Sequence, residues 1–434
     1  MIKPLMLSLI MLLGSLSIGC SSETGSADAA TGQLNVKTAK VDNERERRVI
    51  SNGYDTLFGA VSNNNMAKIE EIISESEASN NGLDYRQTAL VIASYLGSVD
   101  IAEQLLKTGA RVDGVSRKGK FNPLMAAALN DQLPMIQYLL ENSADINYVT
   151  SSNRFPLGVA VRKNNVELCR YLLENGARIS PQGQKDSDAF FVAAEAGVID
   201  AAQVFLDSGI DINAAYRDQN ALHYALKKQQ TKMAQFLLGK DIEVNPPQRY
   251  VRTSALIQAA ILGDTDLFEK ILAKTKDVNF KDDDGFTALM RASANGYPEI
   301  VSALVERKPD MEVKDKRFQR TAIVYAGHNG HAGVLQVLLG SEDKQNGISA
   351  HSLSFALVEA IKGSHVEAVK VLVEAGADLN ESDIGGGRPL FIANRTMRNR
   401  ARNAQGRQGD ESVRKAIEDA KQIYELLDKA DPAT

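Results

Sequence analysis

One apolar position recurs along the chain every 32 to 34 residues: Leu57, Leu90, Leu124, Leu157, Phe190, Leu222, Leu256, Leu289, Ile323, Leu357 and Leu390. Three residues after each stands an alanine, from Ala60 and Ala93 through Ala360 to Ala393. Side chains three apart share one helix face, and a methyl group at each such position lets a neighbouring helix approach closely. Fifteen and sixteen residues after the anchor comes an apolar pair, as in Leu105-Leu106, Leu139-Leu140, Leu172-Leu173, Leu237-Leu238 and Leu338-Leu339, which marks the buried face of a second helix. Between the helices, seven after the anchor, stand Gly97, Gly197, Gly263, Gly296 and Gly330, and elsewhere mostly Asn, Asp, Gln or Ser, residues suited to a tight turn. Thr88, Asn122, Asp188, Asn220, Ser254, Thr287 and Thr321 precede the first helices as candidate N-caps, with Pro123, Pro156 and Pro389 at first helical positions. The pattern predicts eleven units of helix, turn, helix and loop, each too small to bury its apolar face alone.

Two segments carry a family likeness. Asp284-Gly285-Phe286-Thr287-Ala288-Leu289 with Asn295-Gly296, and Gly376-Ala377-Asp378-Leu379-Asn380, resemble the Asp-Gly-x-Thr-Pro-Leu and Gly-Ala-Asp-Val-Asn segments of the ankyrin repeat. The resemblance implies an all-α ankyrin-repeat solenoid of stacked helix-turn-helix units with short hairpin loops over residues 51–430, its end units acting as polar caps. The last unit departs from the period. Its apolar pair, Leu426-Leu427, lies 36 residues beyond Leu390, so an insertion is expected at about 394–410, where Arg395, Arg398, Arg400, Arg402 and Arg407 fall. A solvated, mobile insertion is the expectation, with a clamp on an acidic partner or a lipid phosphate as the alternative.

Before the periodic body, residues 1–19 hold one cation, Lys3, and the apolar run Leu5 to Ile18, too short to span a membrane as a helix and ending in small residues. Leu16-Ser17-Ile18-Gly19-Cys20 resembles the lipobox of bacterial lipoproteins, which implies a lipoprotein signal peptide over 1–19 and acylation of Cys20. Ser21 after the cysteine implies the outer membrane, facing the periplasm, and residues 20–50 have too few large apolar side chains to order themselves, so they read as a flexible tether.

Composition removes several function classes. The 50 Lys plus Arg against 55 Asp plus Glu give a net charge of −5, unlike a general nucleic-acid binder. Two cysteines, Cys20 and Cys169, exclude a disulfide framework and a multi-cysteine metal site. The resemblance implies structural roles for His223, His331 and His365. His328 and His331 are three apart but lack an evident third ligand. Aligning Gly285 of Asp282-Asp283-Asp284-Gly285 with an EF-hand glycine puts Phe280 and Arg291 where acids are required, so the run reads as a hairpin turn. Cys169 reads as a packing residue, and no phosphate loop or nucleophile elbow occurs. No catalytic residue, metal or cofactor is expected.

The resemblance instead implies a contact face, built from the hairpin tips and the ends of the first helices. Read at those positions, the chain offers Lys118, Arg154, Arg162, Lys163, Lys185, Arg217, Lys227, Lys228, Arg317, Arg320, Lys362 and Arg395 against Asp84, Glu195, Asp283 and Asp284. The aromatics there are Tyr54, Tyr85, Tyr95, Phe121, Tyr216, Tyr250, Phe286 and Phe318. Cations and aromatic rings at exposed positions suit a protein with an acidic surface. The expected function is a non-catalytic protein-binding scaffold of the bacterial envelope, monomeric when unbound. As an immunity factor it would occlude a toxic periplasmic hydrolase. Companion of an envelope or oxidative-stress enzyme, or phosphate-binding membrane organiser, are the alternatives.

Overall fold

The computed structural model describes residues 56–79, 84–115, 121–181, 188–216, 219–245, 253–340, 347–381, 387–403 and 411–430. The signal segment, Cys20 and the tether lie outside them. By internal contacts the chain forms two units, Met1–Ile210 and Asp211–Thr434.

In the first unit, residues 56–62 are helical and pair with Met66–Ser79; then come Tyr85–Leu96 with Val99–Lys107, Pro123–Leu129 with Leu133–Glu141, Pro156–Arg162 with Val166–Glu174, and Ala189–Ala196 with Ile199–Asp207. In the second unit, Ala221–Lys227 pairs with Thr231–Gly239, Ala255–Leu262 with Thr265–Lys274, Ala288–Asn295 with Pro298–Glu306, Ala322–Asn329 with Ala332–Leu339, Ala350–Gly363 with Val366–Glu374, and Pro389–Asn403 with Glu411–Ala430. Within each unit the first helices pack on one another and the second helices form a layer behind them. The single β feature among the described residues is the bridge between Tyr216 and Gln219.

The periodic residues do what their spacing dictates. Each alanine three after an anchor is buried, at 6% exposure or less, so a larger side chain would have to push adjacent helices apart. Seven after the anchor the backbone is left-handed in every pair but the last, with φ between 53° at Asn64 and 78° at Gly97. At Gly296 a second constraint joins the first: a Cβ there would lie 2.6 Å from the His331 ring of the following pair, so the glycine serves both turn and stack. Asn122, Asp188, Ser254 and Thr287 cap their helices by accepting from the backbone N–H of Met125, Phe190 and Phe191, Ile257 and Met290. Consecutive loops are joined in the same repeating manner. The Asn147 side chain accepts from the Arg178 N–H at 2.7 Å, Asn213 from Glu243 at 2.8 Å and Asn279 from Asp310 at 2.8 Å.

Four local expectations are corrected. Thr88 is inside its helix, which Asp84 caps by accepting from the Gln87 N–H at 2.8 Å. Asn220 and Thr321 sit at caps without accepting from a backbone N–H of the first turn; the Asn220 side-chain oxygen pairs with the His223 ring instead. The helix at Leu357 starts earlier than in its neighbours, at Ala350 behind the cap Ser349. The Arg-rich segment is not a loop through residue 403: helix Pro389–Asn403 simply continues past the position where other first helices stop. It has no glycine there to adopt a left-handed turn, Met397 standing seven after Leu390, and its partner Glu411–Ala430 is lengthened to match, burying Ala420, Ile423 and Leu427. Arg407 lies outside the described residues.

Candidate functional site

In the first unit the hairpin before Pro156 turns at Asn153, which has φ 56°, and closes through Thr150 and Arg154, whose backbone N–H and hydroxyl contacts lock the tip. This aims the Arg154 guanidinium over the Phe121 ring of the preceding pair, 4.7 Å from its centre. Arg162 ends helix Pro156–Arg162, where a cation also complements the carbonyl end of the helix. Phe191, Val192 and Glu195 come from the following helix, and with Ser152, Asn153, Arg154 and Arg162 they line a cleft of about 360 Å³. Partial burial, and then the charge of Arg162, push the Arg154 pKa down. Two guanidinium groups thus face one cleft with an aromatic floor, an arrangement that favours an incoming carboxylate, which would relieve their mutual repulsion.

The second unit spends its groove cations differently. Asp315 is fully buried and accepts from the N–H of Arg317, Phe318 and Arg320 at 2.7 to 2.8 Å and from the Tyr325 hydroxyl at 3.1 Å. Burial alone would raise its pKa, but these donors outweigh it and hold the carboxyl below its ordinary value. Burial and the bond to Asp315 push the Tyr325 hydroxyl up. The turn so fixed presents Phe318, 49% exposed, between Arg317 and Arg320, whose guanidinium carbons lie 4.9 and 5.1 Å from the ring centre. Arg320 also pairs with the buried carboxylate of Glu359, which His328 and Lys362 approach at 3.1 and 3.2 Å. One helix earlier, Arg291 covers the Phe286 ring at 3.6 Å and pairs with Asp282 at 2.9 Å.

The predicted contact residues therefore divide. Arg154, Arg162, Lys163, Lys227, Lys228, Arg317 and Phe318 are exposed, and Arg154 and Arg162 share a cleft. Tyr216 and Phe286 are half-buried, Phe286 beneath Arg291 and against Tyr325. Tyr85, Tyr95 and Phe121 are not exposed rings: they are buried at 8%, 6% and 3%, Phe121 beneath the Arg154 guanidinium. Arg320 and Lys362 are committed to Glu359. Lys118, Arg217 and Tyr250 lie outside the described residues. The contact-position reading missed Arg291, Tyr325 and Glu359. All three stand two after an anchor, where the first unit has Gly59, Ile92, Ala126, Val159 and Val192 and the second has Tyr224, Gln258, Arg291, Tyr325 and Glu359 before returning to Ile392 in the last pair. That change from apolar to polar was legible in the sequence.

Among the described residues no group of three or more His, Cys, Asp or Glu is arranged to hold an ion. His331 and His365 contact the carbonyls of Ala294 and His328 across pairs. Burial drives the Cys169 thiol up to about 12, which suppresses the thiolate form.

The family profile described as ankyrin repeats (3 copies) matches residues 114–183, 157–248, 256–351 and 304–383, more than half of the chain. The chain belongs to the ankyrin-repeat family. Among curated relatives, the ankyrin repeat and KH domain-containing protein mask-1 of Caenorhabditis elegans is 26% identical over 361 residues, which are 78% of this chain and 14% of that protein. The B-cell lymphoma 3 protein homolog of Mus musculus is 28% identical over 127 residues, 29% of this chain and 28% of its own. The ankyrin chain thus spans only a small part of these relatives' length. The crystal structure of the human ASB11 ankyrin repeat domain aligns with 50% of this chain and 96% of its own, at 22% identity and a TM-score of 0.42. The stacked helical pairs are those of an all-α ankyrin solenoid, a protein-protein interaction scaffold.

Proposed function

We propose that this ankyrin chain is a non-catalytic scaffold that captures a protein through an acidic segment laid in the cleft between Arg154 and Arg162. The observation that carries the reading is the pair of guanidinium groups sharing one cleft over Phe191 and Val192, with Arg154 held in place by Phe121. An interface anchor of this kind, an arginine set on an aromatic ring in a concave site, concentrates binding energy. Lys163, exposed beside Arg162, adds to the attraction. The eleven sequence units read as one array that is monomeric until it binds.

The N-terminal sequence supports an address for this scaffold. Lys3, the apolar run and Leu16-Ser17-Ile18-Gly19-Cys20 have the order of a bacterial lipoprotein signal, so the chain is anchored through acyl groups on Cys20 to the outer membrane, facing the periplasm. A tethered binder with no chemistry of its own suits an immunity factor that occludes a toxic hydrolase of that compartment. Metabolic labelling with palmitate checks the anchor: the parent takes up label and Cys20→Ser does not.

Calorimetric titration with a synthetic acidic peptide tests the cleft. Binding by the parent weakens as salt rises, and Arg154→Glu/Arg162→Glu lowers affinity at least about thirtyfold, the effect of losing about 2 kcal/mol at an anchor. The same affinity in parent and variant, at equal thermal stability, rejects the site.

A further inference from the structure

The extended last hairpin carries a second surface. Phe391, Arg395, Arg398 and Arg402 follow one another at spacings of four, three and four residues in Pro389–Asn403, so they form one row along the helix. At the α-helical rise the row is about 16 Å long. All four are exposed, Phe391 at 61%, and the three arginines make no ion pair or hydrogen bond among the described residues. Arg400 is not part of the row; its guanidinium donates to the Gly363 carbonyl at 3.1 Å. From Gly387 to Gly409 the sequence contains no acidic residue and no lysine.

The face is open for a structural reason. Phe391 stands one after its anchor, where Ile257, Met290, Val324 and Val358 are buried at 3% or less between neighbouring helices. A face meant for another repeat would continue that apolar series, but here arginines follow. Nor does the row offer the enclosed apolar centre on which a peptide anchor depends, since it is convex and contains a single ring. It has what an extended phosphate surface requires: planar guanidinium forks for phosphate oxygens, three like charges in a row with no acidic residue on their own helix, and one aromatic side chain at its end to enter the interface.

We propose that the row Phe391, Arg395, Arg398 and Arg402 docks the last hairpin on the phosphate headgroups of an anionic lipid surface. This surface is separate from the Arg154 cleft and its test does not use the captured partner. Each basic side chain at such a surface strengthens binding about fivefold. Full-length chain is sedimented with vesicles of phosphatidylglycerol and, separately, of phosphatidylcholine. The N-terminal segment contributes equally to parent and variant, so the difference between them reports on the row. Arg395→Gln/Arg398→Gln/Arg402→Gln lowers partition onto phosphatidylglycerol about a hundredfold, the product of three such losses. It leaves phosphatidylcholine partition and the melting curve unchanged, and Arg400→Gln leaves phosphatidylglycerol partition unchanged. Should the triple variant melt early, Arg398→Gln alone gives the readout as a fivefold loss. Equal partition of parent and variant on phosphatidylglycerol overturns the proposal. So does a loss seen only with an acidic polypeptide or duplex DNA as the probe, which reassigns the row to a protein or a nucleic acid.

Discussion

His223 and Glu359 show how much depends on single side chains in the second unit. His223 is buried beside Asn220, whose side-chain oxygen lies 2.8 Å from its Nδ1, and burial drives its pKa down to about 4. Its folded-state pKa is below that of the unfolded chain, so on acidification the unfolded chain takes up the proton first. Stability is complete above about pH 6.5 and falls as pH drops towards 4, by about 3 kcal/mol at most. Thermal melts against pH check this: His223→Gln removes much of the acid sensitivity in that window. Glu359 is the opposite case, a buried anion facing Arg320, His328 and Lys362. Glu359→Ala strands Arg320 beside a cavity and costs about 3 kcal/mol in denaturant unfolding. Gly296→Ala costs about 1 to 2 kcal/mol, because its left-handed φ and the nearby His331 ring both oppose a Cβ. Asn164→Gly, at a turn that already accepts Asn, is nearly neutral. Cys169 stays unalkylated by iodoacetamide until the protein unfolds, as its burial and raised pKa require.

At the scale of elements, the anchor and alanine periodicity gave the helices because it reports burial directly, and burial fixes which residues can meet. The left-handed residue was equally legible, since Gly, Asn, Asp, Gln and Ser recur at its position. Exposure of the groove aromatics was not legible. Tyr85, Tyr95 and Phe121 occupy contact positions by register, but whether a ring faces solvent depends on what packs against it from residues distant in sequence, as Arg154 does on Phe121. The same holds for the pairing of Arg320 with Glu359, 39 residues apart. The extension of Pro389–Asn403 escaped notice because an Arg-rich run resembles a solvated loop, although it lacks the glycine a turn would need. Helix contacts are dense enough that volume matters everywhere: Ala292→Leu forces neighbouring first helices apart and costs about 1 to 3 kcal/mol, read as a lowered melting temperature.

For the whole molecule, each unit keeps most of its apolar surface inside the stack and leaves loops and helix ends as the surface on which an interaction scaffold works. In the second unit Arg291 and Arg320 are held by its own carboxylates, Asp282 and Glu359. In the first unit Arg154 and Arg162 line the open cleft. The most direct test places a photoreactive residue at Asn153, on the cleft rim, and irradiates the native host. The account predicts one prominent adduct with a protein carrying an acidic segment, lost when Arg154→Glu/Arg162→Glu is added and absent when the probe stands at Gln104 on the second-helix layer. An adduct that survives the double reversal, or forms equally from Gln104, contradicts it.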